Sequence, residues 1–320
     1  GEAAIIDPLR EVTPYLERAE KDNVKIKYVF ETHFHADFVS GHLSLSEKTG
    51  APIIYGPNAN PSFEAIIAED GQVFNIGDVT ITAIHTPGHT MESTTFLLKD
   101  KDGNEEAIFT GDTLFLGDVG RPDLAQKAAD MTREQLAEIL FDSLRNKIMT
   151  LPKHLTVYPG HGAGSACGKN MMKETVDTLE NQLQINYALR ADMTKSEFVS
   201  ELLDGLAEPP AYFPLNVKMN KEGYQHFDQV LENGMKGLNP QSFEDLANSR
   251  DALMLDVRHQ SDFMKGHIPN SIFIGLSGGF APWVGALVKD TKQEIILIAE
   301  PGQEKEAITR LSRVGFDHVI

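Results

Sequence analysis

The sequence predicts an α/β protein of two domains, the second built on a parallel sheet. Three observations carry that prediction. The chain has 320 residues, more than one ordinary domain holds. Short apolar runs alternate with amphipathic helical stretches along its length. A proline-broken segment, EPPAYFPLNVKMNKEG, then interrupts the rhythm, and from about Leu238 it resumes with a shorter strand–helix period. The domains expected are 1–232 and 233–320, with 208–223 as an arm leading out of the first.

The elements follow in order. AAIIDP and VKIKYVF read as strands, the first stopped at Asp7-Pro8, and PIIYG is another. VTITAIH alternates Val79, Ile81 and Ala83 before breaking at Pro87-Gly88. TTFLLKDKDGNEEAIFTGD has two apolar arms around DKDGN, a hairpin pattern. MTREQLAEILFDSLRNKI puts Leu136, Ile139, Leu140, Leu144 and Ile148 on one face, with Thr132 and Gln135 as a capping box. TVYPGHG is a strand entering a glycine-rich loop. NMMKETVDTLENQLQINYAL reads as one long amphipathic helix, and TKSEFVSELLDGL as a third, capped by Thr194 and Glu197. The second domain offers the helix SFEDLAN, the strands ALMLDV, SIFIGL and EIILIAE, and the helix EKEAITRLSRVG.

Composition narrows the function classes. With 41% hydrophobic and 24% charged residues, the chain can bury an ordinary core. Its net charge of −18 would repel a phosphate backbone or an anionic bilayer, so neither nucleic acid nor membrane is an expected partner. The single cysteine, Cys167, excludes an internal disulfide framework and fits a reducing cytoplasm. The chain opens inside a strand, GEAAIIDP, and closes at GFDHVI on the start of another. An ordered fragment of a longer polypeptide is therefore expected.

Four loops carry the chemistry. THFHADF (His33, His35, Asp37), TPGHT (His89), TGDTLF (Asp112) and YPGHG (His161) each follow a strand end. Any one alone is an ordinary turn. Strands of one sheet that end on one edge would bring all four together, and a metal site is expected there.

HFHAD, TPGHT, GDTLF and the later His resemble the metallo-β-lactamase superfamily. HADFVSGHL, GRPDL and GHGAGSACGK narrow the resemblance to its persulfide dioxygenases, especially those fused to rhodanese domains. The resemblance implies an αββα sandwich, followed by a rhodanese-like α/β domain that is incomplete at its C-terminus. In binuclear hydrolases of the superfamily the motif His-x-His-x-Asp-His supplies two metals, but here its last position is Phe38. Phenylalanine has no lone pair, so one second-metal ligand is gone and a single metal is expected. The resemblance implies His33, His89 and Asp112 as its ligands, a set that suits non-haem Fe(II), one per chain. His35, Asp37 and His161 would then orient ligands or accept protons. The implied reaction joins a low-molecular-weight persulfide, such as glutathione persulfide, with O2 and water to give the thiol and sulfite.

Arg121 and Lys169 are candidate contacts for substrate carboxylates, against the plainer readings of an Asp118 or Asp123 ion pair and a surface lysine. Cys167, six residues after His161, is a candidate carrier of sulfane sulfur or simply a small buried residue. In the second domain, LMLDVRHQSDFMKGHIPNSIFI resembles the start of a rhodanese. Ala299 stands where the nucleophilic Cys of that family would be, among Glu300, Glu304 and Glu306. A silent domain is expected, with Asp256, Arg258 and His267 in structural roles. It would pack on the first domain or form the surface of a homo-oligomer, and an active rhodanese could follow downstream. Two other functions fit less of the sequence. One is a binuclear hydroxyacylglutathione hydrolase, with zinc in place of iron, and the other a non-enzymatic sulfur-binding module.

Overall fold

A computed structural model describes residues 1–320, apart from the side chains of residues 127 and 128. β-Branched and aromatic runs form two sheets within residues 1–178. The first is wholly parallel, in the order Glu2–Ile6, Lys25–Phe30, Ile53–Tyr55, Ile66–Ile67. The second has six strands, in the order Asp177–Thr178, Thr156–Pro159, Glu105–Gly111, Thr94–Lys99, Val79–His85, Val73–Ile76. All its pairings are antiparallel except that of Glu105–Gly111 with Thr156–Pro159.

Two apolar layers hold these sheets. Phe30 and Ile54 from the first meet Phe74, Ile81, Ala83 and Phe96 from the second. The rings of Phe30, Phe74 and Phe96 pack at centroid distances of 4.8 and 5.4 Å, inclined to one another as aromatic quadrupoles favour. On its other face the larger sheet turns Leu97, Ile108 and Val157 toward Leu140, Leu144 and Phe198 of the helical layer. Helix Arg133–Ser143 begins at the expected capping box of Thr132 and Gln135, and Lys195–Leu203 at that of Thr194 and Glu197. The helix Thr13–Lys21 lies along the strand Lys25–Phe30. The result is the expected αββα layering.

Packing divides the chain into two units, Gly1–Pro8 with Thr13–Phe34 and Leu45–Pro209, and Leu9–Val12 with His35–Ser44 and Pro210–Ile320. Residues 210–232, grouped by sequence with the first domain, thus pack within the second unit. That unit holds a three-stranded parallel sheet in the order Ile272–Phe273, Leu253–Asp256, Ile295–Ile298. Leu255, Val284, Ile295, Ile308, Leu311 and Phe316 fill its core. Asp256 is buried and paired with Arg258, whose Nη2 also donates to Gly266 O. His267 stacks on Phe263 at 4.1 Å. No helix among the described residues is long and apolar enough to cross a membrane.

Three expectations of local structure are corrected. The long helix over 170–189 is instead a loop, the short strand Asp177–Thr178, the helix Leu179–Ile185 and a turn at Tyr187–Leu189. Its amphipathic pattern is overridden because Asp177 and Thr178 pair with Val157 and Thr156 at the edge of the larger sheet, while the amides of Asn170 and Met172 are held by Asp118 Oδ2 and Leu116 O. Thr178 caps the helix that does form, accepting from Asn181 N. The proline-rich arm contains a helix, Phe213–Glu222, with Pro214 in its first turn, where a missing N–H does no harm. SIFIGL contracts to the two-residue strand Ile272–Phe273.

Phe30→Ala should destabilise the first unit by about 3–5 kcal/mol, because it empties the centre of the inter-sheet layer. Denaturant unfolding followed by far-UV circular dichroism should show the loss, and an unchanged midpoint would contradict this description of the core.

Candidate metal centre

Three strands that run in one direction deliver the donors. Val79–His85, Glu105–Gly111 and Thr156–Pro159 end at the same edge of the larger sheet, and their loops carry His89, Asp112 and His161. Lys25–Phe30 of the smaller sheet runs on into His33. Gly111 pairs with Pro159, and Gly160 N donates to Gly111 O at 2.9 Å, which sets Asp112 beside Gly160. A Cβ on residue 160 would lie 2.6 Å from Asp112 Oδ1, so glycine is what leaves the carboxylate its room. Gly88 has φ 136°, and a Cβ there would come 2.4 Å from the Leu140 backbone. The His89 loop therefore needs glycine for both reasons.

Asp112 is 1% exposed, and neither of its carboxylate oxygens has a hydrogen-bond partner. His33 Nε2 and His89 Nε2 lie 3.7 and 3.4 Å from Oδ2, and His161 Nε2 lies 3.4 Å from Oδ1. One ligand atom each from His33, His89 and Asp112 falls within 4.8 Å of the others. Thr32 Oγ1 donates to Asp7 Oδ2 at 2.9 Å, so it accepts the Nδ1–H of His33, also at 2.9 Å. The carbonyl of Arg121 accepts from His89 Nδ1 at 2.9 Å. Each Nδ1 is thus committed as a donor, which leaves Nε2 as the nitrogen that faces the carboxylate and can present a lone pair to a cation. A buried carboxylate without donors is strongly unfavourable. A cation held among the carboxylate and the two Nε2 atoms would offset that charge. The donor set therefore fits a bound metal ion.

The other candidate residues have distinct surroundings. His35, Asp37 and Phe38 belong to the loop that packs within the second unit. The His35 ring lies against Phe38 at 4.4 Å, and both backbone carbonyls accept from Asn220. Cys167 is buried, and its sulfur lies within 4.8 Å of ligand atoms of Asp112 and His161. Arg121 is bound bidentately to Asp123 at 2.8 and 2.6 Å and also donates to Ala207 O. Lys169 Nζ donates to Glu201 O and Asp204 O at 2.6 and 3.0 Å, closing the C-terminal end of helix Lys195–Leu203. Arg121 and Lys169 line one cavity of about 500 Å³ with Asp204, Ala207 and Glu208, yet both cationic groups point at the protein's own acceptors. In the second unit, Ala299 follows the strand Ile295–Ile298, and Glu304 Oε2 accepts from Gly302 N at 2.8 Å. A carboxylate of the chain thus occupies an amide of the loop that a sulfur anion would use.

Several residues of the site carry no motif signal. Asp7 and Thr32 orient His33, and the backbone of Arg121 orients His89. Asp118, fully buried, accepts from the amides of Val119, Lys169 and Asn170, which ties the Asp112 loop to the loop after His161. Burial, with Asp118 close by, raises the Tyr187 phenol far above its ordinary range, so that ring stays uncharged. Only Asp7 could have been singled out, as an acidic residue ending a strand.

Comparison with known proteins agrees with the architecture. The model of the metallo-beta-lactamase superfamily matches residues 1–161, and that of the rhodanese-like domain residues 239–320. A probable hydroxyacylglutathione hydrolase of Schizosaccharomyces pombe is 30% identical over 203 residues, 61% of this chain and 74% of that protein. The cytoplasmic hydroxyacylglutathione hydrolase of Arabidopsis thaliana is 33% identical over 163 residues, 50% of this chain, which spans 59% of that relative's length. Among solved structures, a metallo-beta-lactamase from Staphylococcus aureus superposes with a TM-score of 0.85 at 29% identity, covering 99% of this chain and 90% of its own. ETHE1 from Myxococcus xanthus gives 0.58 at 27% identity, covering 69% and 88%.

Asp112→Asn should raise the stability of the metal-free protein by about 1–3 kcal/mol, since it removes a buried charge without donors. The same change should abolish the rise in melting temperature that divalent metal gives the native chain. Thermal unfolding with and without chelator tests both, and a metal-free variant less stable than the native protein would count against this view of Asp112.

Proposed function

Because the chain belongs to the metallo-β-lactamase superfamily and carries a rhodanese-like domain behind it, we propose that it is a mononuclear iron dioxygenase of low-molecular-weight persulfides. The observation that carries this reading is the donor set. Two imidazoles with fixed tautomers and one buried carboxylate converge, while the sequence position of a further second-metal ligand holds Phe38. Two His and one carboxylate, with other positions left open, suit non-haem Fe(II). Persulfide dioxygenase-like motifs and the likeness to ETHE1 support the same reading.

His33, His89 and Asp112 would hold the iron, which supplies activation of O2 beside the substrate sulfur. The chain's own residues do the rest. Thr32, itself held by Asp7, and the Arg121 carbonyl keep both imidazoles from turning. Asp112 contributes the negative charge that matches a dication. His161 Nε2, beside Asp112 Oδ1, is positioned to hold or pass a proton. In the overall change RSSH, O2 and water give RSH, sulfite and two protons, so a proton acceptor at the site has work in each turnover. The terminal sulfur is oxidised, the S–S bond breaks, and the thiol leaves. Glutathione persulfide is the substrate of choice, in sulfide detoxification.

A second reading is hydrolysis of hydroxyacylglutathione thioesters, favoured by the names of the similar curated proteins. It asks for two metals, and Phe38 removes a ligand that the second would use.

Anaerobically loaded protein should consume O2 and release sulfite when glutathione persulfide is added. Rapid thioester hydrolysis with no O2 uptake would overturn the assignment in favour of the second reading. His89→Ala should lose bound iron and O2 uptake together. Phe38→His should raise the metal-to-chain ratio above one in elemental analysis, and an unchanged ratio would remove the argument from Phe38. Ala299→Cys should yield little sulfurtransferase activity, because Glu304 already occupies the Gly302 amide.

A further inference from the structure

We infer that Asn220 is a positioning residue for the metal motif: it holds the loop that follows His33, so that the second unit sets where His35 and Asp37 lie. The inference rests on the reading of His33, His89 and Asp112 as metal ligands.

The loop 35–41 has no helix and no strand. Its backbone groups have no ladder to bond to, and buried ones need partners from elsewhere. Asn220, 1% exposed on the helix Phe213–Glu222, supplies them. Its Nδ2 donates to His35 O and to Phe38 O, each at 2.8 Å, and its Oδ1 accepts from Ser40 N at 2.8 Å. Both donors and an acceptor of one amide are thus spent on six consecutive residues. The amide can sit only one way round, because a flipped oxygen would face two carbonyl oxygens.

The same stretch is held again nearby. Val39 N donates to Arg313 O at 2.7 Å, and Leu43 N donates to Tyr224 OH at 3.1 Å. Arg313 is in turn paired with Glu11. Fully buried Arg10 donates to Asp317 and to Gln225 O, with its guanidinium 4.0 Å from the centre of the Tyr224 ring. Every bond from Asn220 spans at least 180 residues of sequence. The conformation of the motif therefore depends on a helix outside the first unit. This gives the second unit a task that needs no nucleophile.

The discriminating variant is Asn220→Asp, which keeps the size and the acceptor for Ser40 but sets oxygen against the carbonyls of His35 and Phe38. Hydrogen exchange on the metal-free protein should show lost protection at residues 35–41 only. The strands Leu253–Asp256 and Ile295–Ile298 of the same unit should keep theirs. Titration with Co(II), read by its visible absorption bands, should show binding weakened by about 10–100-fold and an altered spectrum. The fluorescence unfolding midpoint at Trp283, the one tryptophan of the chain, should not move. Unchanged exchange at 35–41, or protection lost throughout the unit, would overturn the inference, as would native Co(II) binding by the variant. If the unsubstituted protein itself bound no Co(II), the metal assignment would fail instead, and the exchange measurement alone would decide the role of Asn220.

Discussion

The carboxylate of Asp112 is the constraint on which the site depends. It is buried with no hydrogen-bond donor on either oxygen, an unfavourable state for a carboxylate that a bound cation would relieve. Everything around it is arranged to accommodate that charge. Gly160 leaves room at Oδ1, and the imidazoles of His33 and His89 turn lone pairs toward Oδ2. Their far nitrogens are tied to Thr32 and to the Arg121 carbonyl. The parallel pairing of Glu105–Gly111 with Thr156–Pro159 is the part of the fold that makes this possible, because only strands running together can end their loops side by side.

From that point the chemistry narrows by counting donors. A second cation would have to be held with a phenyl ring at one of its expected ligand positions. On the proposed reading, one metal with two imidazoles and one carboxylate would keep coordination positions for other molecules, which an oxygenase requires. The strongly acidic surface charge does not assist an anionic substrate, and Arg121 and Lys169 are bound to acceptors of the protein. On the proposed reading, selectivity for a persulfide would rest on sulfur chemistry at the centre rather than on long-range attraction of carboxylates.

The donors were legible in the sequence because each follows a strand end and because glycine and proline mark the turns. The alternation in VTITAIH and the capping boxes at Thr132 and Thr194 were equally readable, since they rest on local chemistry. What escaped was decided by contacts distant in sequence. The pattern over 170–189 is amphipathic at helical spacing, yet Asp177 and Thr178 are drawn into the sheet beside Thr156 and Val157. Pro209, Pro210 and Pro214 suggested an extended arm, but Pro214 sits where a helix tolerates it. Thr32, Asp118 and Asn220 look like ordinary polar residues until the partners they reach across the chain are known.

The motif THFHADF shows why one stretch of sequence need not be one structural object. His33 packs with the sheets that supply the other donors, while His35 to Ser44 packs with the helix Phe213–Glu222 and the residues after it. A one-residue shift of that helix would misplace the Asn220 amide relative to three backbone groups at once. This also separates two properties that the rhodanese-like unit would ordinarily combine. On the reading of position 299 as that of the rhodanese nucleophile, an alanine there would remove sulfur transfer, but it touches none of the bonds made by Asn220, Arg313 or Tyr224. On the inference drawn for Asn220, a unit whose helices hold the loop after His33 would have a physical reason to stay folded whatever its own loop can do.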